Sequence, residues 1–170
     1  MPTGHNLAMT TTFTAPPQCT PARYTSLAAT PGVLFNNAVI EADADYRTCL
    51  SSQFYTSVVA QRSLSLQPFS PLICPYGWES WDYQDHAYRV CCPQNFAPEG
   101  LDMEASRPAE GAWCTSMAYM EGMLMDVTSY DTTGGTTFLP LTISANDAYL
   151  VYANAFDGYP AASPTPTASA

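Results

Sequence analysis

Six cysteines, Cys19, Cys49, Cys74, Cys91, Cys92 and Cys114, constrain this 170-residue chain more than any other feature. Their number is even, no C-x-x-C pair occurs, and only His5 and His86 could supplement the thiolates as ligands. Tetrahedral zinc sites draw on such short pairs, so a disulfide framework is expected and a metal site is not. The order of cysteines does not choose among the possible pairings. Cys91 and Cys92 are not expected to pair with each other, because the Cα separation of a disulfide exceeds the ~3.8 Å between neighbours. Each must reach a different partner, which makes the dipeptide a junction.

Length allows one domain rather than two cores. Hydrophobic residues make up 46% of the chain, enough to bury a core. Fifteen acidic residues stand against five basic ones, a formal net charge of −10. The basic residues, Arg23, Arg47, Arg62, Arg89 and Arg107, are all isolated. Nucleic acid and anionic lipid are bound through clustered Lys and Arg, so neither is an expected partner. No run approaches the ~20 apolar residues of a membrane span. The start, MPTGHNLAMTTTF, lacks the basic and apolar regions of a secretory signal, which stands in tension with an oxidised framework.

Along the chain, β-prone runs alternate with Pro, Gly and Asn. Residues 1–9 read as a disordered extension, and Pro16-Pro17 makes the stretch before Cys19 extended, a possible edge strand. GVLFNNAVIEA at 32–42 reads as two short strands about Asn36-Asn37, and QFYTSVVA at 53–60 as another. Pro71, Pro75 and Gly77 favour turns within 69–78, and Tyr88 to Cys92 reads as a strand ending at Pro93. Residues 95–111 read as a loop. The one helix candidate is 116–127, with Met117, Met120 and Leu124 on one face, Ser116 as cap and Gly122 against it. TTGGTT at 132–137 reads as a hairpin tip and 138–156 as the longest strand region. There Tyr149, Val151 and Ala153 share one face and Leu150, Tyr152 and Phe156 the other. Residues 159–170 read as a disordered or O-glycosylated Pro/Ser/Thr tail. The fold class is therefore mainly β: a small disulfide-stabilised β-rich domain over 10–158 with long loops and at most one short helix.

TTTFTAPPQCT at 10–20, FSPLICPYGW at 69–78 and CCPQNF at 91–96 resemble the TTTFTPPxxC, YSPGxCPxGY and CCPxGF motifs of ascomycete fungal cysteine-rich ectodomain proteins. The resemblance runs in order over residues 9–158. It implies a cysteine-rich ectodomain, usually followed by one transmembrane helix and a cytoplasmic tail, that begins at the TTTF segment without a cleaved signal. Three departures stand out. The family's further cysteine after CCPxGF has no counterpart near Ala97, which implies a framework one bridge short. The 79–90 loop is more aromatic and acidic than the family's Ser/Thr-rich loop. The chain also ends where the membrane helix would follow, as in a soluble paralogue, a truncated gene or a form lacking the anchor.

The densest polar-aromatic cluster lies between Cys74 and Cys91. Trp78, Trp81 and Tyr83 could form a flat stacking surface for sugar rings, with Asp82 and Asp85 accepting hydroxyl hydrogen bonds. Against this, aromatics beside a disulfide ordinarily fill a small core. His86 beside the two aspartates suggests acid–base work only weakly. Glu41, Asp43 and Asp45 read as a solvated edge, and Met117, Met120, Met123 and Met125 as core filling. Asp131-Thr132-Thr133-Gly134 has neither the spacing nor the apolar flanks of an aspartic-protease triplet. No nucleophile elbow or phosphate loop occurs.

The expected function is that of a non-enzymatic extracellular domain of a fungal surface or secreted protein, structural, adhesive or sensory, with no cofactor. Cell-wall polysaccharide or another surface protein is the expected partner. A secreted carbohydrate-binding or effector-like module using loop 78–88 is the alternative, and a hydrolase with a carboxylate pair the third reading.

Overall fold

The computed structural model describes residues 7–19, 24–27, 33–36, 48–55, 68–84, 86–118, 124–131, 133, 135–142 and 149–161. Eleven strands run through them: β1 (Tyr24–Leu27), β2 (Val33–Phe35), β3 (Phe69–Leu72), β4 (Trp78–Tyr83), β5 (Tyr88–Pro93), β6 (Ala97–Glu99), β7 (Trp113–Ala118), β8 (Leu124–Tyr130), β9 (Thr136–Thr142), β10 (Tyr149–Asn154) and β11 (Phe156–Pro160). They form a seven-stranded sheet ordered β6-β7-β10-β2-β1-β8-β9 and a four-stranded sheet ordered β3-β11-β5-β4. The only helical backbone among the described residues is a 3-10 turn at Pro17–Cys19, another at 48–49 and a single turn at 52–55. The expected small β-rich domain stapled by disulfides is what forms.

Strand β5 is the spine. Its residues run buried from Val90 to Pro93, and Tyr88, Val90, Cys91 and Cys92 are all 0% exposed. Successive side chains of a strand point to opposite faces, so Cys91 and Cys92 necessarily diverge. Cys91 joins a core of Met9, Leu50, Phe54, Phe69, Leu72 and Phe156 on one face of the small sheet. Cys92 joins Tyr88, Val90, Ala109, Cys114 and Ala153 on the other, where β7 and β10 of the large sheet pack. The bridges follow: Cys74–Cys91 within the first layer, Cys92–Cys114 from sheet to sheet, and Cys19–Cys49 fastening the N-terminal segment. They span 17, 22 and 30 residues respectively. Loops of that size each gain about 3–4 kcal/mol from restriction of the unfolded chain.

The packed region begins before residue 10, contrary to the expected boundary. Met9 is 3% exposed, and its N–H donates to the Pro71 carbonyl while its own carbonyl accepts from Ile73. Leu7 bridges Phe69 in parallel, so residues 7–9, read in the sequence as part of a disordered extension, lie along β3. At the other end, β11 carries the fold through Tyr159 to Pro160; residues 162–170 lie outside the described residues.

Four local expectations change. The helix read over 116–127 is replaced where described: 116–118 belong to β7 and 124–127 to β8, because pairing with β10, β1 and β9 outweighs a helical period already weakened by Gly122. The first of the two strands read about Asn36-Asn37 forms as β2, but its edges are taken by β1 and β10 and not by a hairpin partner; residues 37–42 lie outside the described residues. Of the strand read at 53–60, residues 53–55 are helical, with the Phe54 N–H donating to Ser51 Oγ, and 56–60 lie outside the described residues. The loop at 95–111 contains β6. The TTGGTT hairpin forms between β8 and β9, with Asp131 Oδ1 accepting from the Thr133 and Gly135 N–H groups.

The 138–156 region divides into β9 and β10, with residues 143–148 outside the described residues. β10 is central, with Val151 and Ala153 buried and Leu150 and Tyr152 half-buried. Tyr152 packs with Phe35 and Trp113, ring centroids 6.1 and 6.0 Å away. Phe156 does not share their face. A break at Ala155 passes the chain from one sheet to the other, and Phe156 enters the first core from β11.

Val151→Asp should destabilise by more than about 2 kcal/mol through burial of an unpaired charge, and Leu150→Asp by less. Equal denaturant midpoints for Val151→Asp and wild type would contradict the central placement. Gly158 lies so close to β3 that a Cβ there would fall inside the Phe69 backbone. Gly158→Ala should therefore cost about 2 kcal/mol or more, read from the thermal midpoint.

Candidate functional site

The β4–β5 hairpin carries most of the residues singled out in the sequence. Pairing of Trp81 with Val90, Asp82 with Arg89 and Tyr83 with Tyr88 leaves a four-residue connection whose Gln84 and His86 take positive φ of 51° and 68°. Alternation along β4 divides the aromatics. Trp78 stacks on Phe156 in the first core, centroids 4.7 Å apart and planes 17° apart. Tyr83 packs against the second core, on the opposite face, and its burial raises the phenol pKa. Trp81 is 38% exposed. The three rings therefore do not form one platform: Trp78 and Tyr83 pack against cores, as aromatics beside a disulfide ordinarily do, and only Trp81 remains for stacking.

Asp82 is engaged within the hairpin. Arg89 grips it with Nε at 2.6 Å from Oδ1 and Nη2 at 3.0 Å from Oδ2, and His86 Nδ1 lies 3.2 Å from Oδ2. The Arg89 hydrogen bonds hold the carboxyl below its ordinary value of 3.8; partial burial opposes this and His86 adds to it. The same contact raises the Arg89 pKa against the effect of its own burial. Beside the pair lies a cleft of about 430 Å³ bounded by Leu72, Ile73, His86, Arg89 and Pro160. Asp85, Glu41, Asp43 and Asp45 lie outside the described residues, as do the side chains of Met117, Met120, Met123 and Met125.

A second polar cluster was not legible in the sequence. Asp157, on β11 and 7% exposed, accepts from the Tyr88 hydroxyl and from Arg107 Nε and Nη2 at 2.7 and 2.9 Å. Burial, then the Asp157 charge, pushes the Tyr88 phenol far above its ordinary value. Burial lowers the Arg107 pKa, but its bonds to Asp157 prevail and raise it. This arrangement ties the 100–112 loop to the small sheet. It keeps Tyr88 a hydrogen-bond donor and Arg107 a cation, so each group is committed to the others. Separations of 69 and 50 residues gave no local signal of it.

Among the described residues, no three His, Cys, Asp or Glu side chains gather as a metal-ligand group. No described helix is long and apolar enough to cross a membrane.

Because the folded chain keeps Asp82 ionised to lower pH than the unfolded chain does, this contact contributes fully above pH 3.8 and is lost as pH falls through the depressed folded value. Asp82→Asn should melt below wild type at about pH 6, with the gap closing toward about pH 2. A gap constant over that range would show that the contact carries no acid-linked stability. Compared with known proteins, the chain matches no family model, and no curated protein or solved structure proves similar to it.

Proposed function

We propose that the chain is a non-enzymatic extracellular domain of a fungal surface or secreted protein, with a structural, adhesive or sensory role. The observation that carries this reading is the complete pairing of six cysteines into three bridges, with no free thiol. Such frameworks persist in oxidising surroundings, outside the cytosol. A structural role is supported by the way the two polar clusters use their groups: Asp82 holds Arg89, and Asp157 holds Tyr88 and Arg107. The fungal assignment rests on the resemblance of the TTTFTAPPQCT, FSPLICPYGW and CCPQNF segments.

A second reading, a secreted carbohydrate-binding module on loop 78–88, draws support from the exposure of Trp81. Glycan-array binding abolished by Trp81→Ala would favour it. The hydrolase reading would require activity that disappears in Asp82→Asn or Asp85→Asn.

Thiol alkylation and mass spectrometry on native, unreduced protein recovered after export should find none of the six cysteines labelled. Six labelled thiols would overturn the extracellular reading together with the framework.

A further inference from the structure

We infer that the cleft between the N-terminal segment and residues 48–53 is a binding site for a neutral saccharide. The inference rests on the reading of the chain as an exported domain and names a ligand class for a site distinct from loop 78–88. The cleft encloses about 650 Å³. That lies within the roughly 300–1,000 Å³ of small-molecule sites.

Its lining has a particular chemistry. The partly buried Ala8 and Phe13 supply apolar surface over the buried Met9 and Leu50. Thr10, Thr11, Thr12 and Thr14 stand on one wall and Ser51 and Ser52 on the other. The Ser51 hydroxyl is already engaged by the Phe54 N–H. Among the described residues, no protein partner takes the hydroxyls of Thr10, Thr11, Thr12, Thr14 or Ser52. Each hydroxyl can both donate and accept, which suits a ligand whose own groups do both. A sugar ring offers hydroxyls at its rim and C–H groups on its faces, matching hydroxyl walls beside apolar surface.

Charge selects further. The chain carries a formal charge of −10, yet none of the described lining residues is charged. Among those residues an anionic ligand finds no cation, and a cationic one no carboxylate. The walls are also fixed in place. Hydrogen bonds of Met9 to β3 hold the first wall, and the Cys19–Cys49 bridge joins its continuation to the second, where Cys49 sits between Thr48 and Leu50. A cleft built before the ligand arrives loses less entropy on binding.

The test is calorimetric titration of the full chain, purified after export, with laminaripentaose, cellopentaose and mannopentaose in low and high salt. At least one should bind, with affinity unchanged by salt. The double variant Thr11→Val/Thr12→Val, and separately Ser52→Trp, should each weaken binding roughly tenfold or more, about 1.4 kcal/mol, with melting temperature preserved. Thr11→Ser/Thr12→Ser should retain it, and Trp81→Ala should leave it unchanged. The inference is overturned if none of the three sugars binds at about 10 mM, which is weaker than most saccharide sites. It is overturned equally if Trp81→Ala abolishes binding, if the stably folded cleft variants bind like wild type, or if a neutral Pro/Ser/Thr peptide binds in place of the sugars. Failure here would leave the cysteine-labelling result untouched, so the cleft and the extracellular reading stand or fall separately.

Discussion

Two adjacent cysteines on a strand buried on both faces organise this protein. Because neighbouring side chains of a strand diverge, Cys91 and Cys92 place one covalent link in each of the layers that β5 separates. One link gathers the turn after β3 into the first core, and the other holds the large sheet against the small one. A single-residue register slip of β5 would exchange the two layers, separating both sulfurs from their partners. The bridges therefore fix register as well as stability.

The polar groups complete what the bridges begin. Arg107 and Asp157 close a long loop over the second core, with the Tyr88 hydroxyl satisfying the same carboxylate. A buried ion pair of this kind adds little net stability over a hydrophobic substitute, but losing either partner strands the other. The sheet margins are managed as well. The Leu7–Met9 stretch covers β3, Pro140 removes a backbone donor from the outer strand β9, and β6 is short and carries Pro98. β4 ends its sheet with Glu79 and Asp82 among its residues, which discourages self-pairing of a strongly acidic chain.

The disulfide framework, the divergence of Cys91 and Cys92, the strand ending at Pro93 and the Gly-Gly hairpin were legible because each follows from covalent or local backbone rules. The 116–127 segment was misread because its methionine spacing suits a helix, whereas strand pairing with distant partners decides its structure. Trp78, Trp81 and Tyr83 could be read as one stacking surface, against the ordinary core filling of aromatics beside a disulfide. Their spacing in an extended strand instead sends Trp78 to one core, while Tyr83 contacts the other. The hydroxyl-lined cleft joins segments some forty residues apart, and Asp157 meets Tyr88 and Arg107 across longer intervals still. Neither had a local pattern to announce it. The TTTF segment was visible as a motif, but its role as a wall depends on the path of the chain back to Cys49.

The passage through Ala155 has a consequence for how the molecule comes apart. β10 is central in one sheet and β11 is paired on both sides in the other, yet only one residue separates them. Extracting either strand pulls directly on its neighbour, so the two sheets cannot open as independent units. They make up one cooperative block. For resistance to proteolysis this matters more than the sum of the contacts, since partial opening of one layer, the usual point of entry for cleavage, is coupled to loss of the other.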